Sequence, residues 1–406
     1  MAASTIVTPL NPRSGLPDNS RPLESTQLLD GRWAWQAYCN EFGEHEAEPA
    51  QVNVIQFNHS PGRRATVVYE AEWPEDVYLP SEQFTLRVEP GESPRVFRFP
   101  DDPDLPGLSS AVFPETAHDL IKAHVLSLPS RRMRVDVVRY RPAGHAVLRH
   151  RLGKAKFYAR VMRPAAVPNM LRAAHLVARS SFVVPRIAGH WHDGAVIWTS
   201  EIPGENLRER IRAGRGPDPD AILEGLETLW AVPSQSSDAA PFDLAWRYRD
   251  AKKAIDHATQ DHHEGRRLFC AAVASLDPFM QSWAPATSAH NDFYDDQMLV
   301  LPDGRIVVVD FEETGAGDPM LDVGNFLAHL NWVASLGSHK RAAARAEYRT
   351  ALRDAAIRRF GWSEHDLDLR EAVCLLRLCT TPIRRPEENW LQRLEKGLSL
   401  VNETIG

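Results

Sequence analysis

The residues best suited to chemistry lie in one acidic segment and in the stretch that follows it. The segment His290–Gln297 reads HNDFYDDQ, and Asp310–Glu312 comes after two short apolar runs that are separated by a Pro302–Gly304 turn. Carboxylate and amide oxygens are hard ligands of the kind that Mg²⁺ prefers. Phosphoryl transfer needs little beyond such a metal, a positioned carboxylate and neutralised charge. The spacing therefore favours a kinase-type site over an acidic turn whose side chains are merely solvated.

Four side chains of this stretch receive predicted roles. Asp292 is predicted to orient an acceptor hydroxyl and to accept its proton late in the transfer. His290 joins it in the catalytic loop, where its ring is predicted to hydrogen-bond the loop backbone. The amide oxygen of Gln297 is predicted to ligate Mg²⁺. Asp310 ends an apolar strand, where a carboxylate is costly unless it meets a metal or a donor, so it is the second predicted metal ligand.

Two further carboxylates lie downstream, in Gly317–Asp322. Asp318 precedes an apolar run with helical spacing, so we predict that it caps the helix. Asp322 lies one turn further on and can pair with the loop around His290. For both residues a structural role is preferred over direct chemistry.

The composition of the chain limits the class of protein. The chain has 406 residues and a net charge of -7, which argues against nucleic acid as its main partner. Four scattered cysteines without Cys-x-x-Cys spacing argue against structural zinc and for a reducing, cytoplasmic setting. No apolar run approaches the ~18 residues of a membrane span, and the start of the chain lacks a secretory signal. We expect a monomer or homodimer that binds a nucleotide and a small-molecule hydroxyl substrate.

The pattern along the chain predicts an α+β protein with two lobes. Residues 1–24 have the composition of a flexible tail, and residues 25–202 are predicted to form an antiparallel, β-rich N-lobe with an extra N-terminal β region. The predicted strands fall into two similar sets of three, namely 52–57, 65–70 and 84–88, then 135–140, 146–150 and 157–162. The similarity indicates an internal duplication or one larger antiparallel sheet, unless two hairpins are alike by chance.

A Pro203-Gly204 connector ends this lobe, so residues 203–406 are predicted to form a mostly helical C-lobe that carries the catalytic and metal loops. Apart from a strand pair around Gly304, apolar residues there recur with helical spacing. Asp261–Glu264 is predicted to be a polar loop between helices rather than a metal site. The predicted helices are 169–179, 220–230, 244–258, 321–333, 340–360 and 369–378.

The motifs His290–Gln297, Asp310–Glu312 and Gly317–Asp322 resemble those of the aminoglycoside phosphotransferase and choline kinase-like family. Its members share the protein-kinase-like fold, and the resemblance covers residues 130–400. It implies that ATP and Mg²⁺ are used, with Asp292 as the catalytic aspartate and Asp310 as the metal aspartate. The family's usual metal-binding asparagine is Gln297 here, which preserves an oxygen ligand.

The predicted N-lobe departs from the family pattern. Arg160 occupies the third strand where the family has a phosphate-binding lysine, and the two side chains differ in reach and geometry. The following segment, 169–181, contains no acid to pair with it, and the turn 142–145 has a single glycine where the family has a glycine-rich loop. The resemblance places phosphate contact at Arg160, with Lys154 or Lys156 as substitutes.

Substrate contacts are predicted near the acceptor. Asp295, Asp296 and Glu312 can hold the ammonium groups of an aminoglycoside or amino sugar, or they can remain solvated loop charges. Trp246 and Tyr248 can present a platform to a sugar, although packing within the helical core is the preferred use.

We therefore expect an ATP- and Mg²⁺-dependent phosphotransferase that moves the γ-phosphoryl group to a hydroxyl of a small molecule. The acceptor would be an aminoglycoside, amino sugar, sugar or cyclitol. By the resemblance, adenine would dock on a hinge at Glu201 and Ile202. The alternatives are a catalytically weak nucleotide-binding pseudokinase module, suggested by Arg160 and the missing acid, and adenylyl transfer on the same fold.

Overall fold

The computed structural model describes residues 28–43, 47–59, 64–74, 77, 81–89, 91–125, 132–233, 242–336, 339–384 and 389–406. The chain divides into two compact units. The first draws on residues 1–164, 188–198 and 382–390, and the second on 165–187, 199–381 and 391–406. The predicted tail, 1–24, lies outside the described residues. The lobe boundary placed after residue 202 stays a prediction.

The first unit begins with a helix and a four-stranded antiparallel sheet. Helix α1 (Gly31–Phe42) starts after Asp30, whose carboxylate caps it by accepting the Arg32 N–H at 2.9 Å. Three of the strands confirm the sequence prediction, and the fourth was missed because four residues are too few to show alternation. In sheet order the strands are β1 (Gln51–His59), β2 (Ala65–Glu72), β3 (Glu82–Val88) and β4 (Arg95–Arg98).

A second sheet, most of which lies in the same unit, has five strands. Its apolar face buries Leu148, Phe157 and Ala159 in one cluster with residues of helices α2 (Leu108–Val112) and α3 (Pro114–His124). Among the described residues it is separate from the first sheet, so the prediction of one larger sheet is wrong. In spatial order its strands are β5 (Met133–Arg141), β6 (His145–Leu152), β7 (Ala155–Met162), β9 (Val196–Ser200) and β8 (Ile187–Trp191).

Each sheet carries its first strand at an edge, and both edge strands contain a β-bulge. The bulge lies between Val54 and Gln56 in β1 and between Val137 and Arg139 in β5. These are the same positions in the two similar stretches 52–57 and 135–140. A bulge interrupts the regular row of donors and acceptors that an edge strand would offer to another chain. The shared bulge supports the duplication hypothesis.

Most of the helices lie in the second unit. The six predicted helices are confirmed, with bounds that differ by a few residues. Among the described residues no helix is long and apolar enough to cross a membrane. The helices are α4 (Val167–Val177), α5 (Leu207–Arg212), α6 (Pro219–Trp230), α7 (Leu244–Ala258), α8 (His263–Ser282), α9 (Pro319–Leu336), α10 (His339–Phe360), α11 (Glu364–Leu378), α12 (Thr380–Arg384) and α13 (Trp390–Ile405).

Sequence periodicity missed several elements of this unit. Helices α8 and α13 were not predicted, and α8 contains Pro278 in its last turns, which breaks the helical pattern. Strands β11 (Thr287–Ala289) and β14 (Gly315–Gly317) pair with each other. They were missed because three small residues show no apolar alternation.

The strand pair predicted around Gly304 is confirmed and leads directly to the predicted metal residue. Strands β12 (Met298–Val300) and β13 (Ile306–Val308) are antiparallel, and β10 (Glu205–Asn206) pairs with β12. Val183 bridges to β13 by donating to Ile306 O at 2.9 Å and accepting from Val308 N at 2.9 Å. Asp310 therefore follows a strand whose backbone is bonded on both sides.

Candidate active site

The acidic loop is held from below by one buried carboxylate. Asp322, in the first turn of α9, accepts the backbone N–H groups of His290 at 2.8 Å and Asn291 at 2.7 Å. It also accepts the indole N–H of Trp230 at 3.0 Å. Burial raises the pKa of Asp322 to about 7, and the three donated hydrogen bonds oppose that rise. The structural role predicted for Asp322 is confirmed.

Asp318 likewise has the structural role that the sequence predicted. Its carboxylate accepts the Met320 N–H at 2.9 Å at the start of α9. It also accepts the indole N–H of Trp283 at 3.2 Å and the Arg370 guanidinium at 2.9 Å. The helix that carries Asp322 is therefore anchored at its first turn.

Asn291 joins the acidic loop to the segment after Asp310. Its backbone has φ +69°, a left-handed conformation that asparagine tolerates better than most residues. Its amide nitrogen donates to Glu313 O at 2.9 Å and to Ala316 O at 3.3 Å. Sequence reasoning gave Asn291 no role, although an asparagine immediately before the predicted catalytic aspartate is a signal that could have found it.

Gln297 and Asp292 form the central contact of the site. The Gln297 amide nitrogen donates to Asp292 Oδ2 at 3.0 Å. The neighbouring carboxylate can only accept, so the amide must turn its nitrogen toward Asp292 and its oxygen away. That oxygen, Oε1, is buried and has no hydrogen-bond partner among the residues that the structure describes. A buried, unpaired amide oxygen beside a carboxylate fits a hard cation such as Mg²⁺.

Two aromatic side chains report where the carboxylates lie. Burial raises the pKa of Tyr294 to about 12, the Asp292, Asp310 and Asp296 carboxylates add to the rise, and the Gln297 side chain opposes it. Asp292 and Asp310 also act together on the ring of His290. Both carboxylates therefore lie within electrostatic range of the same two side chains.

The described residues contain no group of three or more His, Cys, Asp and Glu placed to hold a metal ion. Mg²⁺ is commonly held by one or two carboxylates together with substrate phosphates. The donor set of Asp310 and Gln297 Oε1 fits that kind of site, in which the nucleotide completes the coordination.

His290 is buried beside this contact. Its ring packs edge-on against Phe293 with centroids 5.3 Å apart. Complete burial lowers the pKa of His290, while the Asp292 and Asp310 carboxylates and hydrogen bonds with the backbone of Asp310 and of His290 itself oppose that fall. Asp322 holds the backbone N–H groups of the loop. Its catalytic role stays a prediction.

Two of the acids predicted to hold substrate ammonium groups already have a cationic partner. Asp295 is fully buried and accepts from Arg208 Nε at 3.2 Å and Nη2 at 3.0 Å. Asp296 is exposed and pairs with the same guanidinium at 3.1 Å. Arg208, which sequence reasoning missed, thus pairs with both, and its single charge offsets one of the two negative charges. Glu312 is half-buried, and its backbone carbonyl accepts from Asn169 at 3.0 Å.

The two aromatic candidates for a sugar platform separate in the structure. Tyr248 is buried, and its hydroxyl donates to Asp277 at 2.8 Å, as core packing predicts. Trp246 remains 40% exposed at the start of α7, so the preferred prediction of core packing is wrong for it. Of the predicted loop Asp261–Glu264, Asp261 and His262 lie between α7 and α8, whereas His263 and Glu264 form the start of α8, so the loop is shorter than predicted.

The residues predicted for nucleotide binding lie on or beside the second sheet. Arg160 is half-buried on β7 opposite Val147 of β6. As predicted, it lies on the polar face of that strand. Glu201 and Ile202 follow β9 and are half-buried. Their assignment to the nucleotide stays a prediction.

Comparison with known proteins adds a family and a fold. Residues 141–367 match the model of the phosphotransferase enzyme family, abbreviated APH. No curated protein sequence gives a significant match. The residues before 141 lie outside the matched region.

Solved structures of similar fold include a choline kinase from Cryptosporidium parvum Iowa II. It has a TM-score of 0.50 and 9% identity, over 71% of this chain and 94% of that one. A choline/ethanolamine kinase family protein from Mesorhizobium loti has a TM-score of 0.45 and 16% identity, over 73% and 97%. An ADP-bound aminoglycoside phosphotransferase has a TM-score of 0.48 and 13% identity, over 72% and 98%. The described chain has the protein-kinase-like fold of this group.

Proposed function

The chain belongs to the phosphotransferase enzyme family, and from this premise we propose that it transfers the γ-phosphoryl group of ATP to a hydroxyl of a small molecule. The proposal requires Mg²⁺. Gln297 and Asp310 would hold the ion, whose chemistry there is to neutralise charge on the nucleotide phosphates.

The observation that carries the proposal is the divided use of the Gln297 amide. Its nitrogen bonds the Asp292 carboxylate at 3.0 Å, and its buried oxygen has no partner among the described residues. One side chain thus orients the predicted catalytic carboxylate and offers a ligand to a cation. A structural acidic turn would have no need to bury an unpaired acceptor, because an unsatisfied buried oxygen costs about 1–3 kcal/mol.

The chemistry assigned to the chain's own residues is limited. Asp292 accepts a hydrogen bond from the acceptor hydroxyl, aligns its oxygen and takes its proton late in the transfer. The N–H of Gln297 holds Asp292 in orientation, while Asp322 keeps the preceding backbone in place. His290 is buried and packs edge-on against Phe293.

On the nucleotide side, we assign phosphate contact to Arg160 and the adenine hinge to Glu201 and Ile202. A guanidinium on the polar face of β7 can bond phosphate oxygens in pairs. The position of Arg160 on β7 and membership of the family support the phosphate contact.

For the acceptor, the structure favours a neutral sugar or cyclitol over a polycationic aminoglycoside. Arg208 already pairs with Asp295 and Asp296, so the three groups together offer at most one net negative charge, which suits a polycationic acceptor poorly. Trp246, with its ring partly exposed, can stack on the apolar face of a sugar. Glu312 remains a candidate contact for a single amino group.

The setting is proposed to be the cytoplasm, since the four cysteines, all of which the structure describes, form no disulfide.

The test is product analysis with the 406-residue chain. Mg²⁺-ATP would be incubated with separate panels of sugars, cyclitols, amino sugars, aminoglycosides and choline-type alcohols, and products would be identified by mass spectrometry. We expect one panel to gain a phosphoryl group and release ADP. Gain of an adenylyl group with release of pyrophosphate would instead establish adenylyl transfer. Nucleotide binding without any product across the panels would support a pseudokinase.

A further inference from the structure

We propose that Asn169 and Arg172, on helix α4, are positioning residues that hold the segment after Asp310 in its metal-binding shape. The inference rests on the proposed function, because it concerns the segment that presents the predicted metal ligand.

Asn169 and Arg172 reach the backbone immediately after Asp310 and Phe311. Asn169 Nδ2 donates to Glu312 O at 3.0 Å, and Arg172 Nη2 donates to Thr314 O at 3.3 Å. These contacts join residues 143 and 142 positions apart in the sequence. Within the segment, Thr314 N donates to Phe311 O at 3.0 Å and closes a turn.

The two side chains act as one unit. They are three residues apart, which places them on the same face of α4. Arg172 donates to Asn169 Oδ1, so the amide of Asn169 turns its oxygen toward the guanidinium and its nitrogen toward the Glu312 carbonyl. Neither side chain can rotate without breaking two contacts.

The catalytic loop also bonds the backbone of this segment. Asn291 Nδ2 donates to Glu313 O at 2.9 Å and to Ala316 O at 3.3 Å. Three side chains therefore bind the carbonyls of four of the five residues between 312 and 316. The backbone after Asp310 is therefore hydrogen-bonded both by α4 and by the loop that carries Asp292.

The surroundings of the Arg172 guanidinium suit contact with backbone carbonyls rather than with water. Burial lowers the pKa of Arg172, and its Nε is buried without a hydrogen-bond partner among the described residues. Desolvating a guanidinium is costly, and here it faces neutral carbonyl and amide oxygens. Such contacts are less sensitive to salt than an ion pair between exposed charges.

The functional consequence is on metal affinity. Residues that orient a metal ligand without touching the ion typically change metal affinity or activity 10–100-fold when they are replaced. If the segment lost these contacts, the Asp310 carboxylate would sample more orientations and would bind the ion less tightly. Contacts to the nucleotide that do not involve the metal would be preserved.

The experiment compares Asn169→Ala, Arg172→Ala and Arg172→Lys with His175→Ala, an exposed residue of the same helix, as the matched control. ATP binding would be measured by calorimetry with and without Mg²⁺, and backbone hydrogen exchange would be followed over residues 311–317. Exchange is included because it reports the segment without any metal.

We expect Asn169→Ala to need about 10-fold more Mg²⁺ for half-maximal ATP binding and to exchange faster over 311–317. ATP binding without Mg²⁺ should not change. Arg172→Lys should recover part of what Arg172→Ala loses, because it keeps one donor, and His175→Ala should resemble the wild type.

Unchanged exchange over 311–317 in both alanine variants would overturn the inference while leaving the proposed function intact. Equal losses with and without Mg²⁺, together with a lower melting temperature, would reduce the pair to a folding role and also overturn it. Wild-type chain that binds ATP no better with Mg²⁺ than without it would overturn the proposed function, and with it the metal-related inference.

Discussion

Gln297 donates a hydrogen bond from its amide nitrogen to the Asp292 carboxylate at 3.0 Å, across a short 3₁₀ turn formed by residues 295–297. The contact explains the five-residue spacing seen in the sequence, since a tight turn brings the two side chains back together. It also divides the amide between a carboxylate on one side and an unpaired buried oxygen on the other.

Asp292→Asn should reduce turnover by roughly 10²-fold or more, with nucleotide binding nearly unchanged. The substituted amide keeps the shape of the side chain but cannot take a proton from the acceptor. Steady-state kinetics and calorimetric nucleotide titration would measure the two effects. Near-wild-type turnover would remove Asp292 from the catalytic role.

Asp310→Ala should abolish the Mg²⁺-dependent part of nucleotide binding, and Gln297→Ala should weaken it. Both substitutions remove an oxygen proposed to hold the ion, and Asp310 contributes the charged one. Thermal shift with ATP, measured with and without Mg²⁺, reports the difference. If both variants keep the wild-type Mg²⁺ dependence, the metal assignment is wrong.

Gln297→Glu separates the two ends of the amide. It keeps an oxygen for Mg²⁺ but replaces the N–H donor by a carboxylate beside Asp292. Like charges at this distance raise a carboxyl pKa, so Mg²⁺ dependence should persist while the acidic limb of the turnover–pH profile moves to higher pH. An unshifted profile would show that the 3.0 Å contact does not affect Asp292.

Arg160→Ala should weaken ATP binding more than adenosine binding, because only ATP carries the charge that the guanidinium would neutralise. Arg160→Lys should be tolerated, since it restores the group usual in the family. Calorimetry with both ligands measures the selectivity, and Arg163→Ala, at an exposed position just after β7, is the matched control. Equal losses for ATP and adenosine would argue for Lys154 or Lys156, which would be tested next.

His150 should make stability fall at low pH. Its ring is fully buried, Nδ1 accepts from Trp198 Nε1 at 3.2 Å, and Nε2 donates to Ala111 O at 2.9 Å. Burial lowers its pKa from 6.5 to about 4. Between these two pKa values the unfolded chain binds a proton that the folded chain excludes. The free energy of unfolding therefore decreases as the pH is lowered, by about 3 kcal/mol at pH 4.

His150→Gln, which cannot titrate, should flatten this part of the stability–pH curve measured by denaturant unfolding from pH 7 to pH 4. His175→Gln, at an exposed site, is the control. Curves of the same slope for the wild type and His150→Gln would contradict the prediction.

Asp102→Ala should destabilise the fold by about 3 kcal/mol, because it leaves buried donors without an acceptor. Asp102 is 4% exposed and accepts from Tyr140 Oη at 2.9 Å and from Ala143 N at 2.8 Å. The second bond fixes the turn that replaces a glycine-rich loop, where Ala143 has φ +56°. Asp102→Asn keeps one acceptor and should lose less stability, and urea unfolding would compare the variants with Asp101→Ala at an exposed neighbour. Equal stability of all three variants would show that the turn holds itself.

The sequence by itself determined features whose cause is local. Apolar alternation identified the two similar sets of three strands. Helical spacing identified α4, α6, α7, α9, α10 and α11. The spacing of Asp292 and Gln297 predicted that they act together, and one short turn suffices to bring them into contact. The capping role of Asp318 and the loop contact of Asp322 followed from their positions at a helix start.

Only the tertiary structure decided which acidic side chains have a cationic partner and which residues hold the segment after Asp310. Asp295 looked free for a substrate, but its partner, Arg208, lies 87 residues away. Asn169 reaches the Glu312 carbonyl across 143 positions. The division into two sheets, the exposure of Trp246 and the short strand pair β11–β14 are of the same kind. Each depends on contacts between distant segments, and the periodicity of a single segment carries no information about which distant segment will pack against it.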